Sequence, residues 1–148
     1  MLELLVVLVI VGIMLGVVAL NAMPGERQVL QNEAQRIALL LQVARDEAIV
    51  RNVPIAFEAD QNHYRFLIRQ NDSWQPLTQD ESLRERAFKR APMLLSMRPP
   101  TGEILPEQVS VRIVFGREPV DRAFVLTLAL DHARVAVLAD GIGNFQVE

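Results

Sequence analysis

The sequence lacks cysteine altogether, which excludes disulfide bonds and metal centres built from thiolates. It also lacks an excess of positive charge: 15 lysines and arginines are outnumbered by 18 aspartates and glutamates, and the formal net charge is −3. Nucleic acids and anionic lipids attract proteins mainly through clustered cations. Neither is therefore an expected partner on electrostatic grounds.

Motifs of catalytic and metal sites are missing as well. His63 and His132 lie in predicted turns, and neither has the spacing that places two metal ligands on one helix face. The serines lie in no nucleophile motif, and no glycine-rich phosphate loop is present. Asp60 and Asp140 are typical of turns and resemble no dedicated calcium loop. We therefore predict a protein that is not an enzyme and that has no cofactor or metal site.

What the chain does have is a long apolar run at its start. Residues 4–20 carry no charge and would form about 25 Å of helix, close to the roughly 30 Å hydrocarbon core of a bilayer. A cleaved signal peptide is the competing interpretation, but it requires basic residues before the run and a small-residue cleavage site after it. The sequence has neither, so we predict a retained transmembrane anchor over residues 1–22.

Glu3 is the only charge at the head of this run. A carboxylate within a membrane costs roughly 2.5–3.5 kcal/mol at a helix centre and less near the interface, so its presence indicates a function. Gly12 and Gly16 have the spacing of small residues that lets membrane helices approach closely, although glycine is also common in membrane helices without a partner.

A second helix follows, with a different pattern. Its apolar positions recur at alternating steps of four and three, which predicts an amphipathic helix over residues 23–51. We expect Pro24 and Gly25 to bend or melt the chain between the two helices and Pro54 to end the second. The face expected to pack on a sheet consists of Leu30, Ala34, Ile37, Leu41, Ala44 and Ala48.

Beyond Pro54 apolar residues alternate with polar ones, which predicts strands. Two such runs flank Asp60-Gln61-Asn62 and predict a hairpin, and residues 71–107, with five prolines, are expected to be irregular with at most one short strand at 93–97. We predict an α+β fold in which a helix packs on antiparallel sheets, with one globular domain over residues 23–148 and its β-rich part over 54–148. The alternating positions are Ile55, Phe57, Tyr64, Phe66, Ile68, Val109, Val111, Ile113, Phe115, Phe124, Leu126, Leu128, Leu130, Val135, Val137, Phe145 and Val147.

Several strings in the chain resemble a known family. The opening Leu2-Glu3-Leu4-Leu5-Val6-Val7-Leu8-Val9-Ile10 is similar to the start of mature type IV pilins and type II secretion pseudopilins. Residues 33–49, with Tyr64-Arg65-Phe66, Trp74-Gln75-Pro76-Leu77 and Asp140-Gly141-Ile142-Gly143, resemble the H-type minor pseudopilins. The major pseudopilin's loop pattern after the helix is missing. Glu3 argues against the K-type tip subunit, which typically lacks this glutamate.

The resemblance implies a pilin-like structural subunit of the type II secretion pseudopilus, which helps to export folded proteins across the outer membrane. By resemblance, Glu3 neutralises the terminal amine of a neighbouring subunit and sets the register, while Gly12 and Gly16 pack helices in the membrane or fibre. The implied partners are other pseudopilins, both the major subunit and the minor subunits of the tip complex.

The resemblance also implies processing and a location. In the family a prepilin peptidase removes a basic leader and methylates the new amine, which belongs to a phenylalanine shortly before the glutamate. Since the leader and that phenylalanine are missing, we expect the chain to begin just inside the mature protein. The expected location is the bacterial inner membrane, crossed once, with the globular domain in the periplasm.

Two other functions share the single anchor. A type IV pilus minor pilin for assembly or DNA capture would favour cations near the C-terminus, where Arg134 is the only one after Arg122. The cations of residues 84–98 are diluted by acids and have no aromatic ladder, which is typical of a solvated loop. A free-standing anchored sensor or binding domain would gain nothing from Glu3.

Overall fold

The computed structural model describes residues 1–21, 25–100 and 110–148, with the side chains of residues 17–21 left out. These residues form two helices and nine strands. The helices are α1 (Leu2–Asn21) and α2 (Glu26–Arg51). The strands are β1 (Ile55–Ala59), β2 (His63–Gln70), β3 (Ser73–Pro76), β4 (Arg86–Ala87), β5 (Leu94–Arg98), β6 (Val111–Phe115), β7 (Phe124–Leu130), β8 (Ala133–Ala139) and β9 (Phe145–Val147).

Helix α2 begins and ends where its sequence permits. Gly25 precedes it in an extended conformation, and Asn52 follows it in the left-handed conformation at φ 55°, which asparagine tolerates better than most residues. The amide of Val53 donates to the carbonyl oxygen of Ala48 at 3.1 Å and closes the last turn. The helix thus ends shortly before Pro54, as predicted. Residues 22–24, where we predicted both a bend at Pro24 and the domain boundary, lie outside the described residues.

Two antiparallel sheets account for all nine strands. Sheet A has the order β3-β2-β1-β6, with β4 also paired to β2, and sheet B has the order β5-β7-β8-β9. In sheet A, Phe57 lies opposite Phe66 on one side and Ile113 on the other. The α+β class and the predicted hairpin of β1 and β2 are confirmed.

The turn of that hairpin is held by Asp60. Its Oδ1 accepts hydrogen bonds from the amides of Asn62 at 2.7 Å and His63 at 2.8 Å. These bonds lower the pKa of the Asp60 carboxyl, chiefly through the Asn62 amide. The prediction that His63 lies in the turn is wrong, because His63 is the first residue of β2.

Residues 71–107 contain more strand than the sequence predicted. We expected at most one short strand there, and the structure has β3 and β4 in addition to β5. Asn71 and Asp72 both adopt positive φ, at 49° and 62°, and so form a tight turn that returns the chain along β2. Pro76 ends β3, an edge strand, where the missing amide hydrogen costs no ladder hydrogen bond. Residues 101–109, which include Val109, lie outside the described residues.

The hydrophobic core lies between α2 and the inner faces of both sheets. Helix α2 contacts β1 and β6 of sheet A and β7, β8 and β9 of sheet B. Among the largest side chains that are fully buried are Phe57, Tyr64 and Phe66 from sheet A and Leu126 and Leu128 from sheet B. Because strands of both sheets pack against α2, this one helix joins the two sheets in a single core.

Candidate assembly surfaces

Helix α1 presents an apolar surface. Residues 2–16 are all exposed, including Leu4, Leu8 and Leu15 at 65–68%. Glu3 lies in the first turn of α1 and is exposed as well. A helix that is apolar all round is stable when it is buried against other apolar material. Helix α1 therefore offers its whole circumference for contact.

Gly12 and Gly16 both lie on the exposed surface of α1. A Cβ added at either position would have no heavy atom within 4 Å. The structure therefore gives neither glycine an internal packing role. In the part of the chain that the structure describes, no helix is both long enough and apolar enough to cross a membrane.

The apolar face predicted for α2 lies in the core. All six positions are fully buried, with no exposed side-chain fraction: Leu30, Ala34, Ile37, Leu41, Ala44 and Ala48. Three of the six are alanines, and the neighbouring Ala38 is buried as well. Small side chains let the helix lie close to the sheets. This face therefore joins α2 to the globular part of the chain.

A buried polar cluster lies on the flank of that face. Glu33 is 1% exposed, and its Oε1 lies 3.8 Å from Nη1 of Arg36. Its Oε2, the hydroxyl of Tyr64 and Nε of Arg86 are all buried without a hydrogen-bond partner among the described residues. Burial raises the pKa of the Tyr64 hydroxyl, and the nearby charge of Glu33 adds to that effect. The sequence analysis missed this cluster, although Glu33 adjoins Ala34 on the buried stripe.

A second interaction missed by the sequence analysis involves Arg45. From α2 its Nη2 donates to the carbonyl oxygen of Ile142 at 3.1 Å and also to that of Pro119. Nε of Arg45 is buried and makes no hydrogen bond within the described residues. The guanidinium thus joins α2 to the loop before β7 and to the turn before β9. No local sequence pattern points to this contact, because its partners lie 74 and 97 residues away.

Asp140 organises the turn between β8 and β9. Its Oδ1 accepts hydrogen bonds from the amides of Ile142 at 2.9 Å and Asn144 at 3.0 Å, and its Oδ2 accepts one from Nδ2 of Asn144. The Ile142 amide is the main cause of the lowered pKa of Asp140. Gly141 has φ +82°, and a Cβ there would clash with the carbonyl oxygen of Asp121. The carboxylate is therefore used to form the turn, as the sequence predicted for Asp140.

Glu58 links two arginines across the outer face of sheet A. Its two carboxylate oxygens bind Arg65 of β2 and Arg112 of β6, with Nε distances of 3.0 and 2.9 Å. Burial alone would raise the pKa of Glu58, but the hydrogen bonds from both arginines outweigh it and lower the pKa. The Arg112 guanidinium also lies 5.8 Å from the ring centroid of Trp74. The three charged side chains thus form one cluster across β1, β2 and β6.

No arrangement suited to metal binding occurs within the described residues, where His, Cys, Asp and Glu do not gather in groups of three or more. His63 and His132 are both exposed, and His132 lies in the turn between β7 and β8, as predicted. The most distinctive surfaces among the described residues are the exposed apolar helix α1 and the charged cluster of Glu58 with its two arginines.

The chain is similar to proteins of one known family. The family model described as type II transport protein GspH matches residues 33–141. A solved structure of the minor pseudopilin EpsH from the type 2 secretion system of Vibrio cholerae is similar in fold, with a TM-score of 0.60 and 18% sequence identity. The alignment covers 80% of this chain and 95% of that one. No curated protein matches the sequence.

Proposed function

The chain belongs to the family of the type II transport protein GspH, and from this premise we propose how it works as a minor pseudopilin of the type II secretion system. It is a structural subunit without catalytic activity. Helix α1 holds it in the inner membrane until neighbouring subunits replace the lipid. The observation that carries this proposal is the exposed apolar surface over residues 2–16 of α1.

The physical argument concerns what can cover α1. Its side chains are apolar on every side, and a helix of this kind needs lipid or other apolar helices around it. In a membrane, lipid covers the side chains of α1. In a pseudopilus, the same helices of neighbouring subunits cover them, so leaving the bilayer becomes favourable only within an assembly.

Glu3 gives the assembly its register in this proposal. An unpaired carboxylate in an apolar surrounding is costly, and pairing with a cation offsets much of that cost. The terminal amine of an adjacent subunit is the cation that the family resemblance supplies. Subunits would then stack at the one axial position where Glu3 meets that amine. Gly12 and Gly16, with open space around them, would let neighbouring helices approach closely.

The remaining parts of the proposal follow from the family. The globular domain lies in the periplasm, and the partners are the major pseudopilin and the minor subunits of the tip complex, with this subunit placed between them. A prepilin peptidase processes the precursor. The sheet surfaces face the outer-membrane channel or the exported proteins.

Cysteine cross-linking in intact cells tests the proposal. The chain has no native cysteine, and a Cys side chain at Gly12 or Gly16 meets no internal obstacle. Cross-links from these positions to single cysteines on candidate pseudopilins are compared in the native chain and in Glu3→Gln, which keeps the side-chain size and removes the charge. Glu26→Gln, another carboxylate in the first turn of a helix, is the matched control.

We expect specific cross-links that Glu3→Gln strongly reduces and Glu26→Gln leaves intact. Cross-links that persist in Glu3→Gln would remove the register role of Glu3. Complete absence of cross-links from a chain that is stable in the inner membrane would overturn the subunit model and favour an independent anchored domain.

A further inference from the structure

Helix α2 carries a second apolar stripe, on the side that turns away from the sheets. Leu39 is 65% exposed, Val43 42% and Val50 80%. These residues are spaced by four and seven positions, so they lie along one line of the helix. The buried positions of α2, which pack on the sheets, lie on the opposite side of the helix axis. We call Leu39, Val43 and Val50 the outer stripe.

The segments that the structure does not describe join the chain away from the outer stripe. Residues 22–24 reach α2 at Gly25, and three extended residues span at most about 11 Å, whereas Leu39 lies about 21 Å further along the helix. Residues 101–109 connect β5 with β6, and both strands belong to the sheets on the other side of α2. Residues 2–16 of α1 do not cover the stripe, because they are all exposed themselves. The outer stripe is therefore open to a partner.

Two opposite charges flank the outer stripe at equal distances from its centre. Arg36 lies three residues before Leu39, and Asp46 lies three residues after Val43. Their side chains are 42% and 57% exposed, although each already has one neighbour of opposite charge within α2. From Arg36 to Asp46 the exposed line thus reads cation, apolar, apolar, anion. This pattern becomes its own complement when the helix is reversed.

The charges decide how two copies of α2 can pack. In a parallel pair in register, identical positions face each other, so Arg36 would face Arg36 and Asp46 would face Asp46, which is unfavourable. In an antiparallel pair with a two-fold axis level with Leu41, positions equally far from the axis face each other. Leu39 then faces Val43 of the second copy, and Arg36 faces Asp46. The alternating steps of three and four are also the spacing of residues in the contact of two-stranded coiled coils.

We propose that two copies of this chain associate along the outer stripe as a two-fold symmetric, antiparallel pair of α2 helices. Two contacts between Leu39 and Val43 form the centre, and two ion pairs between Arg36 and Asp46 flank it. A single helix pair is smaller than a standard interface of about 1,200–2,000 Å², so the dimer is weak and reversible. The contact uses neither α1 nor Glu3, so this inference does not depend on the proposed function.

An antiparallel pair places the two Gly25 residues, where the α2 helices begin, at opposite ends. Both α1 helices can enter one membrane from such a pair when the α2 helices lie along the membrane surface. The bend predicted at Pro24, outside the described residues, allows this arrangement. The fibre proposed above stacks its subunits in one direction, so the dimer is a state of chains that are not yet assembled.

Disulfide cross-linking of the full chain in detergent micelles tests the orientation. The chain has no native cysteine, so Asn32→Cys and Val50→Cys can be introduced singly into two differently tagged copies. In the antiparallel pair these two positions face each other, because each lies nine residues from Leu41. Identical positions lie about 27 Å apart there, too far for a disulfide, but they meet in a parallel pair. We therefore expect mixed links between the two variants and few links between two copies of either one.

Substitutions within the contact test its composition. Leu39→Glu and Asp46→Arg change exposed side chains, and each should lower the yield of the mixed link about fivefold or more. The matched controls change similar side chains elsewhere: Val120→Glu alters an exposed apolar residue and Glu118→Arg an exposed acid. Both controls should keep the native yield. Gln70→Cys, at an exposed position of β2, measures links from random collisions.

Three results would overturn the proposal. Links between identical positions that equal or exceed the mixed link would mean parallel packing. A mixed link no stronger than the links of Gln70→Cys would mean that the stripe forms no specific contact. Losses in the controls as large as those in Leu39→Glu would mean that the contact lies elsewhere. The proposed function is tested separately, because its cross-links from Gly12 depend on Glu3 and the antiparallel dimer does not.

Discussion

Arg45 occupies the space that a side chain at Gly143 would need. The Nη1 atom of Arg45 lies 2.6 Å from the position of a Cβ on Gly143, and its Cζ lies 2.9 Å away. Gly143 also has φ +113°, which L-residues with a side chain rarely adopt. The two residues therefore depend on each other, because the arginine can reach its carbonyl acceptors only where the turn has no side chain.

Gly143→Ala should destabilise the fold by about 2–4 kcal/mol, since it combines backbone strain with displacement of the Arg45 guanidinium. Urea unfolding of the full chain in detergent, followed by circular dichroism, measures this loss. Gly116→Ala is the control, because a Cβ there meets its nearest atom at 4.0 Å. Equal losses in the two variants would contradict the specific role of Gly143.

Arg45→Met should cost about 1–3 kcal/mol, because the carbonyl oxygens of Pro119 and Ile142 lose a charged donor. In an Arg45→Met background the cost of Gly143→Ala should fall, since only the backbone strain remains. The double-mutant cycle measures this coupling directly. Strictly additive losses would show that the two residues act independently.

Tyr64→Phe should change the stability by less than about 0.5 kcal/mol or increase it, because the hydroxyl is buried without a hydrogen-bond partner among the described residues. Tyr64→Ala should cost about 3–5 kcal/mol, since it also removes the buried ring. Thermal unfolding of the two variants separates the ring from the hydroxyl. A large loss in Tyr64→Phe would mean that the hydroxyl is bound to Arg36 or to water.

The same tyrosine predicts a dependence on alkaline pH. The folded-state pKa of Tyr64 is raised, so its contribution is fully present below the ordinary pKa near 10 and is lost as the pH rises toward the folded value. The native chain should lose stability faster than Tyr64→Phe above about pH 10. Parallel curves for the two proteins from pH 8 to 11 would contradict this expectation.

Glu58→Gln should cost about 0.5–1 kcal/mol at neutral pH, because the two arginines lose their shared partner. The folded-state pKa of Glu58 is lowered, so this contribution is present above the ordinary pKa and is lost as the pH falls through the folded value. The stabilities of the native chain and the variant should therefore converge in acid. The exposed Glu118 offers a control, since Glu118→Gln should leave the stability at neutral pH unchanged.

Local patterns predicted much of this fold. Alternation of apolar residues predicted β1, β2, β6, β7, β8 and β9, because each strand turns one face toward the core and that face must be apolar. The positions singled out by the helical period of α2 are the ones that lie fully buried against the sheets. Periodicity succeeds for these elements because a single buried face determines each of them.

The features that escaped the sequence analysis arise from contacts between distant parts of the chain. The five prolines of residues 71–107 predicted an irregular segment, but β3 and β4 form there. Both strands lie at the edge of sheet A, where proline is tolerated. The carbonyl acceptors of Arg45 lie 74 and 97 residues away along the chain. Arg112 reaches Glu58 only when β6 pairs with β1.

The contact of α2 with strands of both sheets determines how the molecule bears mechanical load. The helix is 26 residues long and contacts strands of both sheets. A pull along its axis loads these contacts in parallel, as a shear, so that many side chains must slide together before any one is released. A force applied through α1 would thus reach both sheets at once, and the domain would move as a unit before its helix could be peeled away.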